Sequence, residues 1–332
     1  MSLIEVNDLS KVYKTNIKSP GLKGTVQNLF HSKWVEKLAI DHVSFTLQEG
    51  EALACIGENG AGKSTLIKML VGILNPTHGD VHVYGQNPMD HHQSYLRRIG
   101  VLFGQKTNLW WDIPVIESYR AIQVLYKVDL QEYRRNMDMI TELLDLNPIL
   151  SSPARKLSLG QRMKADIGLI FLHSPKILFL DEPTIGLDIN IKHTIRQFIR
   201  KMNRENGVSV FLTSHDLDDI DVICDNALVL SNGKKFYHGT LEQLKHQYAS
   251  DKTVIIIGQM INDIKRALPT AQISADGQKT KIIYDAVQYS SGDILRIISE
   301  CYDVEDITIQ DPDINYVVSQ IFSEGAKSGM NV

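Results

Sequence analysis

The chain has 332 residues, of which 43% are hydrophobic and 22% charged, with a formal net charge of −4. That length accommodates one large domain and a smaller one, and the mild acidity gives no whole-chain reason to expect nucleic acid as a partner. No run of about 18 or more apolar residues occurs, so nothing reads as a membrane-spanning helix. Met1-Ser2-Leu3-Ile4-Glu5-Val6 lacks the basic and apolar regions of a signal peptide, and the expectation is a protein that stays in the cytoplasm. Cys55, Cys224 and Cys301 are widely separated, without metal-ligand spacing, and are expected to be buried reduced thiols.

Leu3 to Leu9 alternates like an edge strand and leads into Ser10-Lys11-Val12-Tyr13, where the pattern stops; Val43 to Leu47 resumes it. Between them, residues 14–40 hold Lys14, Lys18, Lys23, Lys33 and Lys37 against the single acid Glu36, with Val26, Leu29, Phe30 and Trp34 at helical spacing. Two readings stay open: a short basic amphipathic helix lying on a membrane surface or against a partner, and a surface loop. Tyr13 is placed to stack on a base, though one tyrosine after a strand is more often packing.

The stretch Glu51-Ala52-Leu53-Ala54-Cys55-Ile56 reads as a short buried strand, and Ser64 to Gly72 sets Leu66, Ile67, Leu70 and Val71 at helical spacing. Between them Gly57-Glu58-Asn59-Gly60-Ala61-Gly62-Lys63-Ser64-Thr65 fits G-x-x-x-x-G-K-[ST] in the strand, loop and helix order that this phosphate-binding motif requires. Its glycines let backbone N–H groups curl inward around phosphates at a helix N-terminus. Lys63 is expected on the β- and γ-phosphates and the Ser64 hydroxyl on a magnesium ion bridging them.

Asp80 to Gly85 reads as a further short strand. Residues 89–156 read as mainly helical, with Val115 to Tyr126 and Glu132 to Leu146 amphipathic. Lys176 to Pro183 is a buried-strand run ending in Asp181 and Glu182, and it resembles a Walker B strand. Asp181 is then expected to hold the magnesium shell and Glu182 to polarise the attacking water.

The remaining motifs resemble those of ATP-binding cassette ATPases. Val101-Leu102-Phe103-Gly104-Gln105 is similar to their Q-loop and Leu157-Ser158-Leu159-Gly160-Gln161 to their signature. Ile185-Gly186-Leu187-Asp188 is similar to the D-loop and Thr213-Ser214-His215-Asp216 to the switch histidine segment. The signature departs at one position, where Leu159 replaces a glycine. Ser158 reads as the cap of a helix that starts in the signature.

The resemblance spans residues 1–245 and implies an α/β fold: a P-loop ATPase core with an antiparallel β edge and a helical subdomain at about 89–156. It implies ATP and Mg2+ as cofactors, Tyr13 as the adenine-stacking aromatic, and Lys63, Gln105, Glu182 and His215 as catalytic residues. Ser64, Gln105 and Asp181 are implied as metal ligands. It further implies a head-to-tail dimer with a second copy or a homologous subunit, in which Ser158, Gly160 and Gln161 reach the other copy's nucleotide.

By the same resemblance the partner is an integral membrane permease subunit, and the chain lies peripherally on the cytoplasmic face of the membrane. Trp110 and Trp111 sit where relatives grip the permease, while anchoring the helical subdomain to its own core is an equal reading.

From residue 246 the pattern starts afresh as a small α+β domain. Val254 to Ile257, Lys281 to Tyr284 and Val304 to Ile309 read as strands, and Ile261 to Leu268 and Ile294 to Cys301 as helices. It carries no chemistry-bearing constellation and is assigned regulation or dimer contact. The whole reads as the ATPase subunit of an exporter of the drug or polysaccharide type. The rival, a soluble cassette ATPase acting on nucleic acid or ribosomes, is disfavoured by the single P-loop and by the short spacing from P-loop to signature.

Overall fold

The structure, a computed structural model, describes residues 2–17, 33–90, 92–104, 106–248, 251–286 and 288–310. The chain divides into two compact units between Thr240 and Leu241. The sequence-based boundary at 245/246 falls inside a helix that begins at Leu241.

In the first unit, β1 (Ser2–Ile17) and β2 (Lys33–Gln48) form a long antiparallel hairpin, paired from Ser2 with Gln48 to Ile17 with Lys33. This corrects the expectation for residues 14–40: neither a helix nor a loop forms over 14–17 and 33–40, where the strands continue past Tyr13. Thr15, Ile17, Trp34 and Val35 are strand-favouring residue types, and Lys14 pairs with Glu36 across the ribbon at 3.0 Å. Trp34 is thus an exposed strand residue. Val26, Leu29 and Phe30 lie outside the described residues. The alternation in β1 breaks at Asp8, whose φ of 51° accompanies a bulge that turns Leu9 back into the core.

Next come β3 (Ala52–Gly57), α1 (Lys63–Leu70), β4 (His78–Val83), α2 (His92–Leu96) and β5 (Ile99–Phe103). The strand β4 joins β1 to complete a three-stranded antiparallel layer. Further on are α3 (Val115–Tyr126), α4 (Leu130–Leu144), α5 (Leu159–Phe171), β6 (Ile177–Asp181), α6 (Ile189–Asn206), β7 (Ser209–Thr213), α7 (Leu217–Ile223), β8 (Asn226–Ser231) and β9 (Lys234–Thr240). The second sheet has the order β5-β6-β7-β3-β8-β9, parallel except at β9.

Its central strands are buried on both faces, which is why Ile177 to Leu180 and Val210 to Leu212 read as continuous apolar runs. Phe179 and Phe211 are wholly buried; their rings, 6.1 Å apart, join one core with Leu53, Phe45 and Leu66. Burial of each such ring stabilises the fold by about 1.5–3 kcal/mol.

The stretch expected to be mainly helical from residue 89 contains β5, a strand of the parallel sheet, as well as α2, α3 and α4. The helices α3 and α4 pack on α5, where Gly168 admits Tyr119 and Ile140: a Cβ there would clash with both. Tyr119 Oη donates to the Ala165 carbonyl at 2.7 Å.

The second unit begins with α8 (Leu241–Tyr248) and continues with β10 (Asp251–Met260), β11 (Gln272–Asp276), β12 (Lys279–Asp285), α9 (Ser291–Cys301) and β13 (Tyr302–Gln310). Its sheet is antiparallel in the order β11-β12-β10-β13, a split βαβ arrangement of the ferredoxin-like kind. The strands expected over 254–257, 281–284 and 304–309 lie within β10, β12 and β13, and the helix over 294–301 lies within α9. One expected helix is absent: Ile261 to Leu268 holds only a 3-10 turn, Ile264–Arg266. Asp263 caps it and Pro269 follows closely, leaving room for a single turn. All three cysteines are free and buried.

Candidate functional site

Each motif loop is fixed by the start of the helix that follows it. Gly62 stands at the N-cap of α1 with φ 104°, and a Cβ there would clash with the Ala39 carbonyl, so glycine is required for both reasons. Ser158 caps α5 through a reciprocal box: its hydroxyl accepts from Gln161 N–H, and Gln161 Oε1 accepts from Ser158 N–H. Asp188 caps α6 by accepting from Ile191 N–H, and Asp216 caps α7 by accepting from Asp218 N–H. Replacing such a cap typically costs about 1 kcal/mol.

A 490 Å³ cavity opens at the head of α1, lined by Tyr13, Lys37, Ala39, Asn59, Gly60, Gly62, Lys63, Ser64, Thr65, Glu182, Ile185 and His215. Tyr13, the loop residues from Asn59 to Thr65 apart from Ala61, Glu182 and His215 are thereby brought together. Gly57 and Glu58 bear on the same place through their carbonyls, which accept from Lys63 Nζ at 2.6 and 3.1 Å. Ala61 is buried behind the loop. Ser158, Gly160 and Gln161 are not among the described lining residues. Gln105 lies outside the described residues.

The parallel sheet sets the acidic end of the cavity. Asp181 and Thr213 are register partners on β6 and β7, and Thr213 Oγ1 donates to Asp181 Oδ1 at 2.6 Å. Ser64 Oγ lies 3.3 Å from the same oxygen. A serine hydroxyl beside a carboxylate is a hard oxygen donor set of the kind that magnesium accepts. Glu182 has a φ of 56°, a left-handed conformation held by its N–H donating to the Thr213 carbonyl at 3.0 Å. Burial pushes its carboxyl above the usual range, against the opposing pull of His215 and Lys63. Burial likewise raises the Cys55 thiol to about 12, which leaves it protonated and unreactive beside the loop.

Sequence reasoning missed a buried hub behind this end. Asp219 is fully buried; it accepts from Arg196 Nε at 2.5 Å, from Ser214 Oγ at 2.7 Å and from Thr184 Oγ1. Lys192 Nζ donates to Asp216 Oδ2 at 2.5 Å. Arg196 Nη2 lies 2.9 Å from the same oxygen as an ion pair out of line for a hydrogen bond. The segments that carry Glu182, Gly186 and His215 are thereby tied to α6. In the sequence Lys37 is only one of several basic residues; its place in the cavity follows from hairpin register, which its local sequence does not reveal.

Trp110 and Trp111 are 55% and 49% exposed, so neither is a core anchor of the helical subdomain. The Arg162 guanidinium stands 5.6 Å from the Trp111 ring. Asp166 of α5 accepts from the Asn108 N–H at 2.7 Å, fastening the segment after residue 105 to the signature helix.

The ABC transporter family profile matches residues 40–185. The chain is 30% identical over 227 residues to the ABC transporter ATP-binding protein NatA of Bacillus subtilis, covering 68% of this chain and 92% of that protein. It is 33% identical over 222 residues to the probable multidrug ABC transporter ATP-binding protein YbhF of Escherichia coli, covering 66% of this chain but only 38% of that one. Among solved structures, an ATP-binding subunit of an ABC transporter superposes with a TM-score of 0.63 at 28% identity, over 74% of this chain and 93% of its own.

Proposed function

The chain belongs to the ATP-binding cassette family of transporter ATPases, and from that premise we propose that it is the ATP-hydrolysing subunit of an exporter. In this reading it drives a separate membrane-embedded permease from the cytoplasmic face. One observation carries the catalytic reading: phosphate loop, Glu182, His215 and Tyr13 line a single cavity, and Asp181 lies 3.3 Å from Ser64 at its edge.

Tyr13 stacks on adenine, and the loop's backbone N–H groups with Lys63 hold the phosphates. Glu182 accepts a proton from water as its oxygen attacks the γ-phosphorus and the bond to the bridging oxygen breaks; His215 steadies the γ-phosphate. Magnesium, when bound, is held by Ser64, Asp181 and Gln105 and neutralises phosphate charge. Ser158, Gly160 and Gln161 serve the nucleotide of a second copy or a homologous subunit, which accounts for a signature that does not line its own chain's cavity.

Export is supported by the similarity to YbhF, a probable multidrug ABC transporter ATP-binding protein. Among the described residues no helix is long and apolar enough to cross a membrane, so the transport path is assigned to another chain. Trp110 and Trp111, both half-exposed, supply apolar contact for that partner. The small C-terminal unit is given a regulatory or dimer-contact role.

Co-expression with membranes, affinity capture and identification of the co-purifying integral subunit test the assignment. ATP hydrolysis by that complex should disappear with Lys63→Ala, and membrane association should weaken with Trp110→Ala and Trp111→Ala together. A chain that hydrolyses ATP yet captures no integral membrane protein would sink the transport reading.

A further inference from the structure

We propose that Lys37 is a nucleotide-binding residue: a cation, carried on the lengthened β1–β2 ribbon, that clamps the phosphate nearest the nucleoside. The inference rests on the nucleotide reading above and adds a contact that the phosphate loop does not supply.

Three observations place it. Tyr13 and Lys37 are direct register partners, and directly opposed residues on paired strands project from the same face. That face is the cavity wall, since Tyr13, Lys37 and Ala39 all line it together with Gly62 to Thr65. The wall also has a definite order. The Ala39 carbonyl lies against Gly62, where α1 begins, and Lys37 is two residues farther out along the strand, a rise of about 6.8 Å. Moving outward from the loop, one therefore meets Lys63, then Ala39, then Lys37 beside Tyr13.

The other cations nearby stand at different places. Lys63 Nζ donates to the Gly57 and Glu58 carbonyls in the depth of the loop. Lys14 is paired with Glu36, the neighbour of Lys37 along β2 and so on the opposite face of the ribbon. Lys11 donates to the Asn75 carbonyl at 2.6 Å and stands 5.7 Å from the Tyr13 ring centroid. Lys37 has no hydrogen-bond or ion-pair partner among the described residues, and it projects beside the ring on which a base would stack.

A lysine there meets the end of a nucleotide that joins base to phosphate. An ammonium on a four-carbon stem is a mobile point charge suited to a phosphate oxygen, and it needs no fixed geometry to reach one. The γ-phosphate belongs at the opposite end, near Glu182 and His215. A clamp on the nucleoside-proximal phosphate acts on a group that ATP and ADP share, so it strengthens both equally and does not sense hydrolysis. Lys63, on the β/γ end, should distinguish them.

The test is calorimetric affinity of the purified full chain for ATP, ADP and adenosine, in wild type, Lys37→Ala, Lys37→Arg and Lys63→Ala. We expect Lys37→Ala to weaken ATP and ADP by the same factor, about five- to twentyfold for a partly solvated charge-assisted contact, with adenosine unchanged. Arginine should restore most of the loss, and the salt dependence of ATP binding should be shallower in the alanine variant. If Lys63→Ala abolishes ATP binding while Lys37→Ala leaves it intact, Lys37 is a solvated surface residue and the proposal is wrong. A larger loss for ATP than for ADP would overturn it too, by moving the contact to the terminal phosphate. Unchanged ATP binding in Lys63→Ala would instead fell the nucleotide reading itself, and the Lys37 assignment with it.

Discussion

His215 Nε2 stands 3.2 Å from Glu182 Oε1, while the His215 backbone N–H donates to Oε2 at 3.2 Å. The two residues come from the ends of different strands, and Asp216, which follows His215, is tied to Lys192 of α6. The segment that carries His215 thus contacts both oxygens of the carboxylate directly. Burial raises the Glu182 carboxyl and His215 opposes the rise. A general base works only when ionised, so activity should fall as pH drops toward that raised value, with an acid limb above the ordinary carboxylate range. His215→Gln removes an opposing influence and should move the limb to still higher pH in whatever activity remains. The measurement is kcat/KM for ATP against pH in the assembled complex; a limb at the same pH in both proteins would show that His215 does not tune Glu182.

Glu182→Gln should bind ATP as wild type does yet lose nearly all turnover, because an amide of the same size cannot take the proton. ATP should then trap the dimer, visible as a slower-sedimenting monomer converting to a stable faster species. Wild-type hydrolysis rates in that variant would remove Glu182 from the role of base.

The Asp219 hub makes a stability prediction. A fully buried carboxylate that loses its arginine is left with an uncompensated charge, at a typical cost of about 3–5 kcal/mol. Arg196→Met should lower the denaturation midpoint accordingly. Because the cost lies in the orphaned charge, Arg196→Met combined with Asp219→Asn should be less destabilised than Arg196→Met alone. Equal destabilisation in the single and double variants would mean that packing, not charge, holds the hub.

The positions that sequence reading located and those that it missed differ in kind. Lys63, Ser64, Asp181, Glu182 and Ser158 could be found because each sits in a contiguous run whose residue types answer a local need: a phosphate loop, a buried strand end or a helix cap. Thr213 on Asp181, Lys37 beside Tyr13, and Asp219 under Thr184 and Ser214 join residues far apart in the chain. They depend on strand register and helix placement, which no local pattern encodes. The hairpin over 14–17 and 33–40 escapes sequence reading for a related reason. The spacing of Val26, Leu29, Phe30 and Trp34 suits a helix, while the cross-strand partners of Trp34 and Glu36, Asn16 and Lys14, lie about twenty residues upstream.

Asp166 should make stability depend on pH. Burial raises its carboxyl to about 6, against the opposing influence of hydrogen bonds from Thr107, Asn108 and Leu109 and of Arg162. The unfolded chain has an ordinary aspartate, so between about pH 4 and 6 the folded form holds a proton that the unfolded form has released. The resulting stability is present below about pH 4 and is lost as pH rises through about 6, each pH unit between the two values removing about 1.4 kcal/mol. Asp166→Asn should flatten this component. Denaturation midpoints from pH 3.5 to 7 check it: a wild-type profile that parallels the variant's would mean that Asp166 ionises normally.

Leu159 stands where the signature that residues 157–161 resemble has a glycine. Leu159 is the first residue of α5, directly after the cap Ser158, and it is half-buried. It is not among the residues with positive φ, so its backbone has no need of glycine. A Cβ placed on Gly186 would lie 3.4 Å from Leu159 Cδ2, so the leucine packs against the segment that leads to Asp188 and α6. Next to it, Gly160 lies close against α6: a Cβ there would push aside the terminal Cδ1 methyl of Ile191. The two positions therefore act oppositely: Gly160 permits close approach to α6, and Leu159 fills the space beside Gly186. Leu159→Gly removes that contact and adds backbone freedom at the helix start, the latter alone costing about 0.5–1 kcal/mol. On the proposed function this loop presents α5's N-terminus to a phosphate, and it then becomes less defined. Steady-state ATP hydrolysis by the assembled complex at saturating ATP should fall several-fold, whereas Leu159→Met, which keeps the volume, should stay near wild type. A faster Leu159→Gly enzyme would reverse the conclusion and make Leu159 an obstruction to closure.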